Sequence, residues 1–196
     1  MIQTKKDLKY YLERDAIALK CDNKKHPSFF GDEIWKFQRA LRVLEYYANA
    51  SKKNKLLKIG YYISKFKYKK LSLKLGFSIP INAFEEGLSI AHYGLLVVNR
   101  NARIGKNCRI QEGVTIGTTN GSNDAPKIGN NVFIGSGAKI IGDIVIADDV
   151  AIAANAVVVK SIVESSVTFG GVPAKKISEN DSHSNLAPKL FQSNHR

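Results

Sequence analysis

Two hydrophobic rhythms divide the chain. From residue 3 to about residue 75, apolar residues recur at helical spacing, as in Leu8, Tyr11 and Leu12 and again in Ile34, Phe37, Leu41 and Leu44. Steps of three and four place such residues on one face of a helix, where a core can cover them. His26-Pro27 breaks the chain before the second run, because the residue preceding proline is pushed toward an extended backbone. Asp32-Glu33 favours a helix start there by complementing the positive end of the helix dipole. A lysine-rich connector follows, and Gly76 with Ile79-Pro80 marks the change of rhythm, since proline cannot continue a helix.

Beyond that point the period is six. Aliphatic residues fall at Ile104, Ile110, Ile116, Ile128, Ile134, Ile140, Ile146, Ile152 and Val158, and Ile104, Ile116, Ile128, Ile134 and Ile146 are each followed by Gly or Ala. The aliphatic residue of each repeat is expected to point inward, and the small residue after it suits a corner where the backbone turns sharply. Three hexapeptides make one triangular coil of about 18 residues, and coils stack as parallel strands roughly 4.8 Å apart. The predicted class is α+β, with a helical segment over 1–76, a parallel β-helix prism over 77–178 and a polar tail over 179–196.

Two irregularities interrupt the count. Ile90 to Val98 is a step of eight, leaving two extra residues near His92-Tyr93-Gly94, and a bulged corner there would push the imidazole outward. Ile116 to Ile128 is a step of twelve containing Thr118-Thr-Asn-Gly-Ser-Asn-Asp-Ala125. Gly, Asn, Asp and Ser favour turns, so this segment reads as a loop extruded from the prism.

Composition narrows the setting. The chain of 196 residues is 44% hydrophobic, ordinary for a packed core, and no stretch approaches the run of about 20 apolar residues needed to span a bilayer. The N-terminal MIQTKKDLKYYLERD lacks the apolar centre of a secretion signal, so a cytoplasmic home is expected. Cys21 and Cys108 are isolated, with no CxxC pair and no His cluster, and no metal is expected.

The net charge of +13 is uneven. Residues 1–76 carry 19 Lys/Arg against 7 Asp/Glu, whereas residues 77–196 carry 11 against 10. The densest basic stretch, Lys65-Phe-Lys-Tyr-Lys-Lys70, interleaves aromatics with lysines. It suits an anionic membrane surface, which would place the chain peripherally at the inner membrane face, or an anionic glycan; nucleic acid is the third chemistry of this kind but is not the expected partner. A solvated helix face is the plainer reading.

Of the four histidines, His26 lies in a linker of the helical half, while His183 and His195 lie in a tail expected to fray. His92 alone falls within the repeats, and a histidine is the natural base for removing a hydroxyl proton near neutral pH. A lone histidine in a β-structure can equally be a satisfied structural residue.

The segments Gly87-Leu-Ser-Ile-Ala-His92, Gly113-Val-Thr-Ile-Gly-Thr118, Pro126-Lys-Ile-Gly129, Val132-Phe-Ile-Gly-Ser-Gly-Ala-Lys139 and Gly171-Val-Pro-Ala174 together resemble the hexapeptide-repeat acyltransferases. The likeness is greatest to the serine-acetyltransferase branch and its relatives in polysaccharide gene clusters. Tyr11-Leu-Glu-Arg-Asp-Ala16 is faintly similar to the N-terminal helices of that branch. The resemblance implies a left-handed β-helix, a homotrimer with sites between subunits, acetyl-CoA as acetyl donor and His92 as catalytic base. It places Ser136, Ala154, Val159, Lys160 and Lys175 against the coenzyme, with lysines suited to its phosphates. In an ungapped match, the aspartate before the catalytic histidine becomes Ala91, an Arg-His pair becomes Asp124-Ala125, and the acid that orients the imidazole falls on Phe77.

Those departures favour a sugar hydroxyl of a surface polysaccharide or glycolipid as the acceptor, with free L-serine expected to be poor. Serine, feeding cysteine synthesis, is the alternative, and a catalytically silent β-helix scaffold is the alternative of another class. For the missing acid, coil counting offers a replacement. With the loop set aside, Ile90 shares a face with Ile110, and Ile134 with Ile152. His92, Glu112, Ser136 and Ala154, each two places on, then form one column, and Glu112 lies one rung from His92, with Glu85 and Glu86 as competing partners.

Overall fold

The computed structural model describes residues 1–51 and 55–192; His195 lies outside the described residues. Three α-helices open the chain: α1 (Lys5–Ala18), α2 (Glu33–Ala50) and α3 (Lys58–Leu75). Thr4 and Asp7 start α1 as a reciprocal capping box, Thr4 Oγ1 accepting from the Asp7 N–H at 3.1 Å and Asp7 Oδ2 from the Thr4 N–H at 2.9 Å. The lysine-rich connector is largely helix α3, and it ends where Gly76 takes a left-handed backbone with φ of 77°.

Fourteen short strands follow among the described residues. They are β1 (Phe77–Ser78), β2 (Ser89–Ile90), β3 (Leu96–Val98), β4 (Arg103–Ile104), β5 (Arg109–Ile110), β6 (Thr115–Gly117) and β7 (Lys127–Ile128). The chain continues through β8 (Phe133–Ile134), β9 (Lys139–Ile141), β10 (Val145–Ile146), β11 (Ala151–Ile152), β12 (Val157–Val158), β13 (Thr168–Gly170) and β14 (Lys175–Ser178). They form three parallel sheets, the faces of a prism: β1-β3-β6-β9-β12, β4-β7-β10, and β2-β5-β8-β11-β13-β14. β14 runs antiparallel to β13 and closes the far end.

Register follows the sequence count. Ile90 pairs with Ile110, Ile110 with Ile134 and Ile134 with Ile152 on one face. Ile104 pairs directly with Ile128, so the residues between β6 and β7 are surplus to the coil, and 119–124 are all exposed. The extruded loop is therefore real, though it ends one residue early: Ala125 is already buried in the core.

Each repeat buries two side chains. Besides the aliphatic residue, the one two places earlier points inward, as with Cys108, Val114, Val132, Ala138, Val150 and Ala156. The corners also differ in origin from the sequence reading. The left-handed turn residues stand three places before the aliphatic position: Asn107, Gly113, Asn131, Gly137, Asp149 and Asn155, all with positive φ. The small residues after the aliphatic position are needed for close stacking instead. A Cβ on Gly135 would lie 2.7 Å from the Ala154 backbone nitrogen.

One apolar core runs from the helices into the prism. Phe37 and Leu41 of α2 join Leu75, Phe77, Ile79 and Leu88 at its N-terminal end, with the Phe37 and Phe77 rings 5.0 Å apart. Beside them a buried ionic cluster fastens α1 and α2 to the first coil. Arg42 meets Asp15 at 2.8 Å and Glu45 at 3.0 Å, and donates to the carbonyls of Phe84 at 2.8 Å and Glu85 at 2.6 Å. Asp15 Oδ1 accepts from the N–H groups of Gly87 and Leu88, each at 2.9 Å, and Glu45 accepts from that of Asn82 at 2.7 Å. Burial pushes the carboxyls of Asp15 and Glu45 upward, with Arg42 pulling the other way.

The tail does not fray as expected over its described length. Leu186, Ala187 and Leu190 are buried against Ala18, Ser182 donates to the Asn131 carbonyl, and His183 Nε2 lies 2.7 Å from Asp149 Oδ1. Lys189 reaches Asp22 at 2.7 Å, so the tail straps the prism to the end of α1. Leu186, Ala187 and Leu190 give this otherwise polar segment enough apolar surface to pack.

Candidate active site

His92 stands where the six-residue count fails. β2 ends at Ile90, the Ala91 N–H still bonds to the Ile110 carbonyl at 3.0 Å, and the chain then leaves the sheet through His92, Tyr93 and Gly94 before re-entering at Leu96. The two extra residues form an outward corner: His92 is exposed, as are Tyr93 at 63% and Leu95 at 62%, while Leu96 is fully buried. The imidazole therefore faces outward, as the interrupted count predicts.

The rung before this corner is held from the helical side. Gln38 of α2 is fully buried, donates to the Leu88 carbonyl at 2.7 Å and accepts from the Ile90 N–H at 2.9 Å. Together with Asp15 on Gly87 and Leu88, it fixes the backbone two residues ahead of His92. Sequence reasoning missed Gln38, Asp15 and Arg42. For Gln38 and Arg42 the available signal was polar and charged residues falling on the inward stripe between Phe37 and Leu44.

Glu112 occupies the neighbouring rung, at the position the paired registers of Ile90 and Ile110 assign it. A Cβ on Gly94 would lie 3.2 Å from the Glu112 Cβ, so the His92 corner folds directly over this residue. The Ser136 hydroxyl first, then its own backbone N–H and the nearby His92 imidazole, hold the Glu112 carboxyl below the usual carboxylate range. No hydrogen bond joins Glu112 to His92 among the described residues. Yet Glu112 Oε2 is enclosed without any hydrogen-bond partner, an arrangement that is costly unless a donor arrives. Of the competing acids, Glu86 is buried and bound to Lys106 at 3.3 Å.

The column continues through Ser136, whose hydroxyl donates to Gln111 Oε1 at 2.6 Å, to the exposed Ala154. Val159 and Lys160 are exposed beyond β12, on a different face. Lys175 opens β14, on the sheet of His92 but at its opposite edge. The seven residues thus fall into two groups within one chain: a compact column of four and three others around the far end of the prism.

The bacterial transferase hexapeptide family (six repeats) matches residues 125–160. The serine acetyltransferase of Mycobacterium tuberculosis is 40% identical over 92 residues, 46% of this chain and 40% of that protein. The chain thus spans less than half the length of that relative. Serine acetyltransferase from Brucella abortus strain S19 in complex with coenzyme A is 30% identical, covering 90% of this chain and 70% of that one, with a TM-score of 0.67. The Neisseria gonorrhoeae enzyme in complex with serine is 27% identical, covering 89% and 70%, with a TM-score of 0.62.

These likenesses overturn the polysaccharide reading of the acceptor, because the relatives found by sequence and by structure are serine acetyltransferases. The physical reason lies in the loop. Asp124 belongs to the exposed segment outside the coil register, where an ungapped match has no structural meaning, and Ala125 is a core residue that could not have carried a cation. The repeat pattern, the prism and relatives that share its helices as well as its coils lead to one assignment: the chain belongs to the serine acetyltransferase family of left-handed β-helix, hexapeptide-repeat transferases.

Proposed function

We propose that the chain transfers the acetyl group of acetyl-CoA to the hydroxyl of serine, with His92 as general base. The observation that carries this reading is the column of His92, Glu112, Ser136 and Ala154, which sets an outward imidazole beside a carboxylate one of whose oxygens has no hydrogen-bond partner. His92 accepts the hydroxyl proton as the oxygen attacks the thioester carbonyl; the new C–O bond forms, the C–S bond breaks, and the imidazolium returns its proton to the departing thiolate. Glu112 steadies the imidazolium between those events. Ser136 and Ala154 line the path of the coenzyme, Val159 packs against it, and Lys160 and Lys175 meet its phosphates.

A homotrimer completes the site. Within one chain His92 lies open on the prism surface between exposed Tyr93 and Leu95, and a neighbouring prism would cover these apolar side chains and exclude water. Acetyl-CoA as donor places the reaction in the cytoplasm.

Thiol release from acetyl-CoA tests the reading directly. L-serine is expected to give saturable O-acetylserine formation, and His92→Ala to reduce the rate by about 10²–10⁴ with an unchanged circular dichroism spectrum. A folded protein that shows no turnover with serine, or a His92→Ala variant of undiminished rate, would refute it.

A further inference from the structure

Helix α3 has two apolar faces, and only one is used. Ser64, Ser72 and Leu75 are buried, and the half-buried Tyr68 and Leu71 pack on the same core. On the opposite side Ile59, Tyr62, Ile63, Phe66 and Leu73 are between 66% and 74% exposed. At about 100° per residue these five share one sector about 100° wide, diametrically across from the buried face. Lysines border it on both flanks, Lys58, Lys65 and Lys69 on one and Lys67 and Lys74 on the other, and Lys70 projects within it between Phe66 and Leu73. Lys74 pairs with Glu33 at 3.4 Å, the one ion pair of α3 among the described residues, and the helix contains no acidic residue. Beside Lys67 and Lys70, across a shallow cleft, the 26–29 segment brings Phe29, which is 87% exposed and set edge-on to the 86% exposed Phe30.

We propose that this outer face of α3 docks on an anionic lipid bilayer. A stripe of aromatic and aliphatic side chains bounded by lysines matches the boundary between acyl chains and charged headgroups, with the apolar residues entering the former and the lysine stems reaching the latter. No helix among the described residues is long and apolar enough to cross a membrane, so α3 lies in the surface rather than through it. A second copy of the chain is a poorer occupant. Apposing two such faces about a two-fold axis would bring lysines against lysines with no carboxylate on either helix to offset them. An anionic bilayer satisfies the stripe and the charges at once. The inference is independent of the acyl-transfer reading, since no residue of the His92 column is involved.

Co-sedimentation of the full chain with vesicles provides the test, comparing phosphatidylcholine alone with a phosphatidylcholine–phosphatidylglycerol mixture. Binding is expected to the mixture, to weaken on raising salt, and to fall well over tenfold in Lys65→Glu/Lys69→Glu, given about fivefold for each basic residue lost from an anionic surface. Ile63→Ser/Phe66→Ser should abolish binding, and both variants should keep thiol-release activity in solution, because every altered side chain is exposed. Equal binding to both vesicle types, or binding indifferent to both variants, would overturn the proposal. So would self-association seen by light scattering that these variants abolish in the absence of vesicle binding.

Discussion

In the prism, the inward positions from Ile104 to Val158 are aliphatic or small, and no charged side chain is buried among the described residues of that stretch. In the helical half, Asp15, Gln38, Arg42 and Glu45 are buried and hold the backbone of the first coil, while buried Asn49 donates to the Ile2 carbonyl and the Asn82 side chain. The prism is thus stabilised by repetition, each rung presenting to the next the surface it received from the last. The helices are stabilised by a few irreplaceable polar contacts between distant parts of the sequence. The first arrangement tolerates local error, whereas the second concentrates risk in single residues.

The sharpest way to break this comparison is Arg42→Ala. It leaves two buried carboxylates without their cation and should cost about 3–5 kcal/mol in urea unfolding; a cost below about 1 kcal/mol would mean that apolar packing alone docks the helices. Ile134→Ala, in the middle of the prism core, should cost about 2–5 kcal/mol through lost burial and a residual cavity, with a similar loss at Ile110 or Ile140. Unequal losses at those three sites would argue against rungs of equal standing.

Gly135→Ala adds a single methyl against the backbone of the next coil and should cost about 1–3 kcal/mol, although its φ is not left-handed. Asn131→Ala should cost about 1 kcal/mol. It removes the left-handed preference of a corner and a side-chain ladder in which Asn107 donates to Asn131 and Asn131 to Asp149, each at 2.8 Å. A neutral Asn131→Ala would show that the corners are set by the strands and not by their turn residues.

The same contrast explains what could be read from the sequence. Period six, with the extruded loop set aside, puts Ile90, Ile110, Ile134 and Ile152 on one face, and with them the His92–Glu112–Ser136–Ala154 column. The second inward position escaped notice because Cys108, Ala138 and Ala156 look unremarkable beside isoleucine. The asparagine corners were hidden because only their backbone conformation distinguishes them. Arg42 and Gln38 stood out as polar residues on an inward stripe, but their roles were illegible: the backbone groups they hold lie 42 to 52 residues away in sequence, and no periodicity links them. The packed tail has the same cause. Its anchor, Asp149, belongs to a different rhythm altogether.

The pairing of His92 with Glu112 is the central claim, and the dependence of kcat/KM on pH in Glu112→Gln tests it most directly. The Glu112 carboxyl is held below its ordinary range, so it carries a negative charge at neutral pH. That charge stands one rung from His92, where it can steady the imidazolium formed as the hydroxyl proton is taken. Removing the charge should reduce kcat/KM by about tenfold across the profile, with the fold intact by circular dichroism. A Glu112→Gln profile that superimposes on that of the unaltered protein, in both height and position, would contradict the account.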